Sequence, residues 1–190
     1  SLEKELQKSS DQVNDLRNKL EDVHREALTD PLTGISNRKA FDNALAAAEA
    51  AMAEGDDPVS VILCDIDHFK KFNDNWGHQT GDQVLRLVAR TLAESLAHGD
   101  LLSRMDEDEF LVILTSCSGE ALLDLAERAR LVVSFSAISW WGEELSVTVS
   151  IGGTTARRGD TVDTLLARAG DALASSKSSG GNRVTLQGEA

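Results

Sequence analysis

The chain has 190 residues, 41% of them hydrophobic, enough for one sizeable core plus an appendage and too few for two full domains. A net charge of −13 and a pI near 4.6 disfavour nucleic acid or an anionic membrane surface as partner, so any phosphate ligand would need a metal between itself and the protein. Cys64 and Cys117 show neither a CxxC spacing nor a disulfide framework, no apolar stretch approaches the ~20 residues of a membrane span, and no signal peptide opens the chain, so a cytoplasmic domain is expected.

Residues 1–28 are polar except at Leu2, Leu6, Val13, Leu16, Leu20, Val23 and Ala27, whose spacing alternates four and three once Ser9 fills the gap. A heptad seam on an otherwise polar helix predicts a parallel two-stranded coiled coil, a stalk that brings two copies of the domain at 29–190 side by side. Since Ser1 already lies inside this helical pattern, the chain reads as a fragment of a longer protein.

Pro31 and Gly34 in LTDPLTGISNRKAF break the stalk helix, and Asn37 is suited to cap a second helix through about Glu54. After the loop GDDP, VSVILCDID is apolar on both faces and reads as a central strand ending in Asp65 and Asp67, with Cys64 a small buried hydrophobe. An amphipathic helix follows from about Gly81 to Leu96. Two β-leaning runs, LLSRM and FLVILT, then flank RMDEDEF, which is therefore the turn of a hairpin. Such a turn usually carries glycine because its backbone must reach positive φ, yet four consecutive carboxylates occupy positions 106–109.

The remaining elements are a helix from about Glu120 to Val133, the alternating strand SVTVSIG, a helix from about Thr161 to Lys177 and a short closing strand in NRVTL. Trp140 and Trp141 precede a hairpin turn at GEE, where one is expected to pack and the other to be exposed. The order β-α-β-β-α-β predicts an α+β, ferredoxin-like sheet with helices on one face.

If the central strand and the hairpin are neighbours, Asp65 and Asp67 come near the acidic turn, and converging carboxylates of this kind hold Mg²⁺, which in turn holds phosphate. The stretch DIDHFKKFNDNWGHQTGD adds Lys70, Asn73 and Asp82. A lysine meets phosphate as a mobile point charge, while an Asn amide and an Asp carboxylate together satisfy the edge of guanine. Plain readings stand beside these: Lys70 as surface charge, Asp82 as a favourable carboxylate in the first turn of a helix, and His68 and His78 as structural histidines.

With DPLTGISNRKAF, DIDHFKKFND, GHQTGD, TVSIGG and SKSSGGN in this order, nearly everything after the stalk resembles the GGDEF domain family of bacterial diguanylate cyclases. The resemblance implies a palm-like fold related to nucleotidyl cyclases and a homodimer whose GTP-loaded domains meet face to face to make cyclic di-GMP, with two Mg²⁺ per active site. It also implies an upstream sensor domain that signals through the stalk. By motif position it assigns Asp65 and the backbone carbonyl of Ile66 to Mg²⁺, and Asp108 to metal and to support of the attacking hydroxyl. Glu109 becomes the next acidic residue of the signature, Lys70 and Lys177 the phosphate-side lysines, and Asn73 and Asp82 the readers of guanine.

The chain departs from that pattern at several positions. Asp106 and Glu107 stand where the family has two glycines; Asp tolerates left-handed backbone moderately and Glu poorly. Beside a triphosphate, each like-charge contact at about 4 Å would cost on the order of 4 kcal/mol at an effective dielectric near 20. SKSSGGN puts Gly181 where AKxxGRN carries a phosphate-contacting arginine, and Ala174 replaces the tyrosine of the preceding helix. The product-inhibition motif RxxD reads AHGD, keeping Asp100 but with Ala97 for the arginine, so feedback binding of cyclic di-GMP is not expected there. Three readings follow: a degenerate domain with weak or no cyclase activity, acting as a dimeric regulatory module that binds GTP and Mg²⁺; an active cyclase; or a protein-docking scaffold without nucleotide binding.

Overall fold

A computed structural model of the chain describes residues 1–55 and 57–188; Asp56 of the GDDP loop and the final residues 189–190 of the expected domain lie outside the described residues. Helix α1, Leu2–Leu28, has no buried residue, and Leu2, Leu6, Val13, Leu16, Leu20 and Val23 are each more than half exposed. No helix among the described residues is long and apolar enough to cross a membrane. After β1, Ser36–Asn37, helix α2 spans Arg38–Glu54. Asn37 caps α2 by accepting the Ala40 N–H at 3.0 Å, and its side-chain amide donates to the Ala27 carbonyl at 2.9 Å, joining the end of α1 to the start of α2.

Strand β2, Ser60–Ile66, is buried at every position and lies at the centre of a six-stranded sheet. It pairs antiparallel with β4, Glu109–Leu114, on one side and with β7, Val149–Thr155, on the other. Strand β3, Leu101–Arg104, forms the expected hairpin with β4, and β1 pairs parallel to β3 at that edge. Strand β8, Val184–Leu186, pairs parallel to β7 at the other edge.

Helices cover both faces of this sheet, which corrects the expected single helical layer. Ile62, Cys64 and Ile66 pack with α3 (Phe69–Trp76), α4 (His78–Glu94) and α5 (Gly119–Phe135). Val61 and Leu63, pointing the other way, pack with Phe41 of α2 and with Leu165, Ala169 and Leu173 of α6, Val162–Ser178. The apolar character of β2 on both sides is the sequence's record of this arrangement, since a strand with one wet face alternates. By the same logic β7 is buried along Val149–Thr154 even though SVTVSIG alternates in polarity.

Two local elements differ from expectation. The short helix α3 precedes α4, and α4 itself begins one turn earlier than Gly81. The hairpin of β5, Ile138–Trp140, and β6, Glu143–Leu145, turns at Trp141–Gly142, both at positive φ (47° and 82°), so GEE starts within the turn and runs into β6. Trp140 packs edge-to-face on Trp76 with ring centroids 4.9 Å apart, and Trp141 is 89% exposed.

Close packing of α6 on β7 depends on Gly152, where a Cβ would lie 2.6 Å from the Ala169 carbonyl oxygen and the Leu173 Cα and closer still to the Leu173 amide nitrogen. Gly152→Ala is expected to cost on the order of 3 kcal/mol in urea unfolding, because helix backbone cannot yield as a side chain can. Gly170→Ala, in the same helix with open space at its Cβ, is expected to stabilise by about 0.5–1 kcal/mol in the same measurement.

Candidate functional site

Strand β2 delivers Asp65 to the end of the sheet directly opposite Glu109 in the β2–β4 register, and the Ile66 N–H donates to the Asp108 carbonyl at 3.2 Å. A cleft of about 410 Å³ opens there, lined by Asp65, Ile66, Lys70, Asp108, Lys177 and Gly181 among others. The sequence-derived metal and phosphate residues thus share one cavity. Asn73 and Asp82 lie away from its lining, on α3 and in the first turns of α4. Asn73 is buried with an unpartnered Oδ1 that points at Gly81, where any Cβ would collide with it. Gly81 therefore makes room for the Asn73 amide beside Asp82.

Inside the cleft, Lys177 Nζ donates to Asp65 Oδ2 at 2.7 Å. Burial pushes the Asp65 carboxyl up to about 6, opposed by the Lys177 hydrogen bond and reinforced by the charges of Asp108 and Glu109. Glu109 is raised too, by burial and the neighbouring Asp106 and Asp108 against the pull of Lys177. For Lys177, burial works against the charged form, but the bond to Asp65 and the surrounding carboxylates outweigh it and raise its pKa. Cys64, fully enclosed behind these acids, has its thiol pushed far up by burial and by Asp65, Asp67 and Glu109, so it supplies no nucleophile.

Asp67 does not join Asp65 and Asp108 as a converging carboxylate. Its oxygens accept the Thr148 Oγ1 and Ser150 Oγ hydroxyls, each at 2.6 Å, and the Asn182 N–H at 2.8 Å. Among the described residues no group of three or more His, Cys, Asp or Glu side chains is arranged to hold a metal ion. Two carboxylates and the Ile66 carbonyl remain, a set that suits Mg²⁺ bound together with phosphate rather than in an all-protein cage. Asp65 held near 6 by burial is also a carboxylate that an incoming cation would stabilise.

The acidic turn itself is ordered without left-handed backbone. Among the described residues other than glycine only His68, Trp141 and Asn182 have positive φ, so Asp106 and Glu107 do not, contrary to the expectation for this turn. The Met105 N–H donates to the Glu109 carbonyl at 2.9 Å, and Asp106 Oδ1 accepts the Glu107 N–H at 2.9 Å. Arg104 Nη2 holds the Glu107 carbonyl at 2.8 Å while Nη1 pairs with Asp30 at 3.2 Å, linking the turn to the chain just beyond α1. The Asp106 and Glu107 side chains are exposed.

Sequence reasoning missed Thr148, Ser150, Arg104 and Asp30. For the first two the signal was present as the polar positions of SVTVSIG, which face an aspartate and not solvent. Asp100 is committed to structure, accepting the Ala97 N–H at 2.9 Å and the Thr115 N–H at 3.1 Å. Gly181, at φ +74°, sits against Asp67.

The raised Asp65 sets a sign for pH dependence. A carboxyl whose folded pKa exceeds its unfolded value contributes stability that is complete below about 3.8 and is lost as pH rises through about 6. Asp160, held at about 2 by Arg168, acts in the opposite sense and only in strong acid. In urea unfolding from pH 4 to pH 7, Asp65→Asn is expected to gain stability relative to the parent chain as pH rises; a constant difference would refute the burial argument.

The family described as "Diguanylate cyclase, GGDEF domain" matches residues 27–183. Response regulator PleD of Caulobacter vibrioides is 42% identical over 172 residues, 89% of this chain and 38% of that protein. Diguanylate cyclase DgcP of Pseudomonas aeruginosa is 36% identical, with 88% of this chain and 25% of that protein covered. The chain therefore spans well under half the length of these relatives. Among solved structures, the coiled coil and GGDEF domain of DgcB from Caulobacter crescentus, in complex with c-di-GMP, aligns with a TM-score of 0.91 at 39% identity over 98% of this chain and 99% of that one. Diguanylate cyclase SiaD of Pseudomonas aeruginosa, in complex with its activator SiaC, aligns with a TM-score of 0.81 at 32% identity over 97% and 71%. The chain, with its single helix leading into the palm-like sheet, belongs to the GGDEF domain family of diguanylate cyclases.

Proposed function

We propose that this chain is a GGDEF module of cyclic di-GMP signalling that binds GTP with Mg²⁺, turns it over weakly or not at all, and acts as a dimeric regulatory unit through α1. The observation that carries this reading is the charge balance of one cleft: its binding groups are present, but its surroundings have lost a cation and gained anions. Three carboxylates, Asp65, Asp67 and Asp108, and two lysines, Lys70 and Lys177, line it. Asp106 and Glu107 add negative charge nearby, and Gly181 brings no guanidinium.

GGDEF cyclases generally use Mg²⁺, and the residues proposed to hold it are Asp65, the Ile66 carbonyl and Asp108. When bound, the metal would neutralise phosphate oxygens and support in-line attack. Lys70 and Lys177 would meet the phosphates as point charges, Lys177 exchanging Asp65 for phosphate as the metal takes over the carboxylate. Asn73 and Asp82 would take the guanine edge, and Glu109 would add negative charge behind Asp108. With Ala97 beside Asp100, feedback inhibition by cyclic di-GMP at AHGD is not part of this reading. The division into stalk at 1–28 and domain at 29–190, the homodimer, the cytoplasmic setting and an upstream sensor complete it.

A second reading, an active cyclase, draws on the unstrained turn: Asp106 and Glu107 avoid positive φ and point outward. The remaining penalty is then charge alone. A cost of even ~1.4 kcal/mol is a tenfold rate loss, so the distinction lies in turnover and not in fold.

Calorimetric titration with a non-hydrolysable GTP analogue and Mg²⁺, followed by chromatography of a GTP incubation, tests both. Binding that is lost in Asp82→Ala, with little or no cyclic di-GMP formed, is the expected result; abundant product establishes the second reading, and no binding leaves a docking scaffold. The paired variant Asp106→Asn with Glu107→Gln is expected to raise turnover at least about tenfold, as much as glycine at both positions does, since charge and not backbone is the obstacle. Equal rates in the parent and both paired variants would move the defect to Gly181. Sedimentation tests the stalk: Leu16→Asp with Leu20→Asp is expected to shift the chain from dimer to monomer.

A further inference from the structure

The turn that follows α6 runs through Gly180, Gly181 and Asn182 at φ of 114°, 74° and 48°, three successive residues at positive φ with a non-glycine at the end. Glycine reaches such φ freely and asparagine at modest cost, so the turn is held in this one conformation by its partners. Asp67 supplies that constraint from one side. Its Oδ2 accepts the Asn182 N–H at 2.8 Å and Thr148 Oγ1 at 2.6 Å, its Oδ1 accepts Ser150 Oγ at 2.6 Å, and its own N–H donates to the Thr148 carbonyl at 2.9 Å. From the other side Arg130 of α5 donates to Asn182 Oδ1 at 3.0 Å.

The absence of a side chain at Gly181 brings the turn tight against this carboxylate, since a Cβ there would lie 3.2 Å from the Asp67 Cγ and both its oxygens. Backwards along the chain, the Gly181 N–H bonds the Ser176 carbonyl at 3.0 Å and the Gly180 N–H the Lys177 carbonyl at 3.2 Å. The turn is thus continuous with the end of α6, where Lys177 reaches Asp65.

We propose that Asp67 is a positioning residue, a clasp that binds the 180–182 turn to the segment entering β7 and thereby sets where Lys177 and the end of α6 meet the cleft. Its role is distinct from metal ligation by its neighbour Asp65. Three donors converge on one carboxylate, one of them a backbone N–H that can only donate, and charge-assisted bonds of this sort are the strong ones. Asparagine removes the charge and keeps one oxygen, which can stay on the Asn182 N–H while its NH₂ turns to the Ser150 hydroxyl, so the isosteric Asp67→Asn weakens the clasp by its charge-assisted share without opening a cavity. The proposal rests on the reading of the cleft as a nucleoside triphosphate site, but the clasp itself is visible without nucleotide.

Amide hydrogen exchange followed by NMR on the nucleotide-free chain is the first test, using Asp67→Asn and the milder Ser150→Ala. Exchange at Gly181, Asn182 and the last turn of α6 is expected to rise on the order of tenfold in Asp67→Asn, as loss of the charge-assisted share implies, and less in Ser150→Ala, while β2 and β4 keep their protection. Titration of the same variants with a GTP analogue and Mg²⁺ is expected to show affinity falling in that order. Unchanged exchange at 180–182, or a uniform rise through the sheet that marks only a loss of global stability, overturns the proposal. So does local loosening with analogue affinity equal to the parent's. Should the parent itself not bind the analogue, the nucleotide reading fails separately, and the exchange pattern alone decides the clasp.

Discussion

A carboxylate at the end of a strand buried on both faces is the constraint on which the site depends. β2 is enclosed between two helical layers, and Asp65 is its last acidic residue, only 8% exposed. Burial there disfavours the ionised form, and the nearby Asp108 and Glu109 add to the cost while Lys177 alone opposes it. A site built this way is poised for a cation: whatever positive charge enters the cleft relieves a penalty already present in the fold.

Lys177 fills that role, and its placement rests on geometry far from it in sequence. It stands at the end of α6, whose approach to β7 depends on Gly152, and whose following turn lies over Asp67. Two aspartates one residue apart therefore face opposite tasks. Asp65 opens into the cleft beside the acidic turn, while Asp67 is saturated by hydroxyls and a backbone amide and is spent on holding structure.

The acidic turn carries four carboxylates on a backbone that uses no left-handed residue. Its backbone is held by Arg104 and by the Asp106 side chain, with no left-handed residue, so replacing two glycines has not required strain. What has changed is the local field. Because Arg104 also pairs with Asp30 just after α1, the turn is mechanically continuous with the helix that leads into the domain.

Much of this was legible in the chain itself, because the relevant signals are local. An unbroken apolar run marked β2, Asn37 marked the start of α2, the flanking β-leaning runs marked the hairpin around RMDEDEF, and the resemblance to the GGDEF family marked Asp65, Lys70, Asp108 and Lys177, which share the cleft. Other features were hidden because they depend on partners distant in sequence. Whether helices cover one face or both is decided by where α2 and α6 return. The single turn pair of α3 is too short for periodicity to announce, and the bond from Arg104 to the Glu107 carbonyl is not written in the residue types of the turn. Thr148 and Ser150 look like solvent-facing positions until β7 is laid beside β2 and Asp67 is found between them. Sequence alone determined which residues carry charge and how far apart they lie along the chain; the tertiary structure decided which of those charges are buried and which are already paired, and it is hydrogen bonding by two hydroxyls and a backbone amide that sets Asp67 apart from Asp65, buried among other carboxylates.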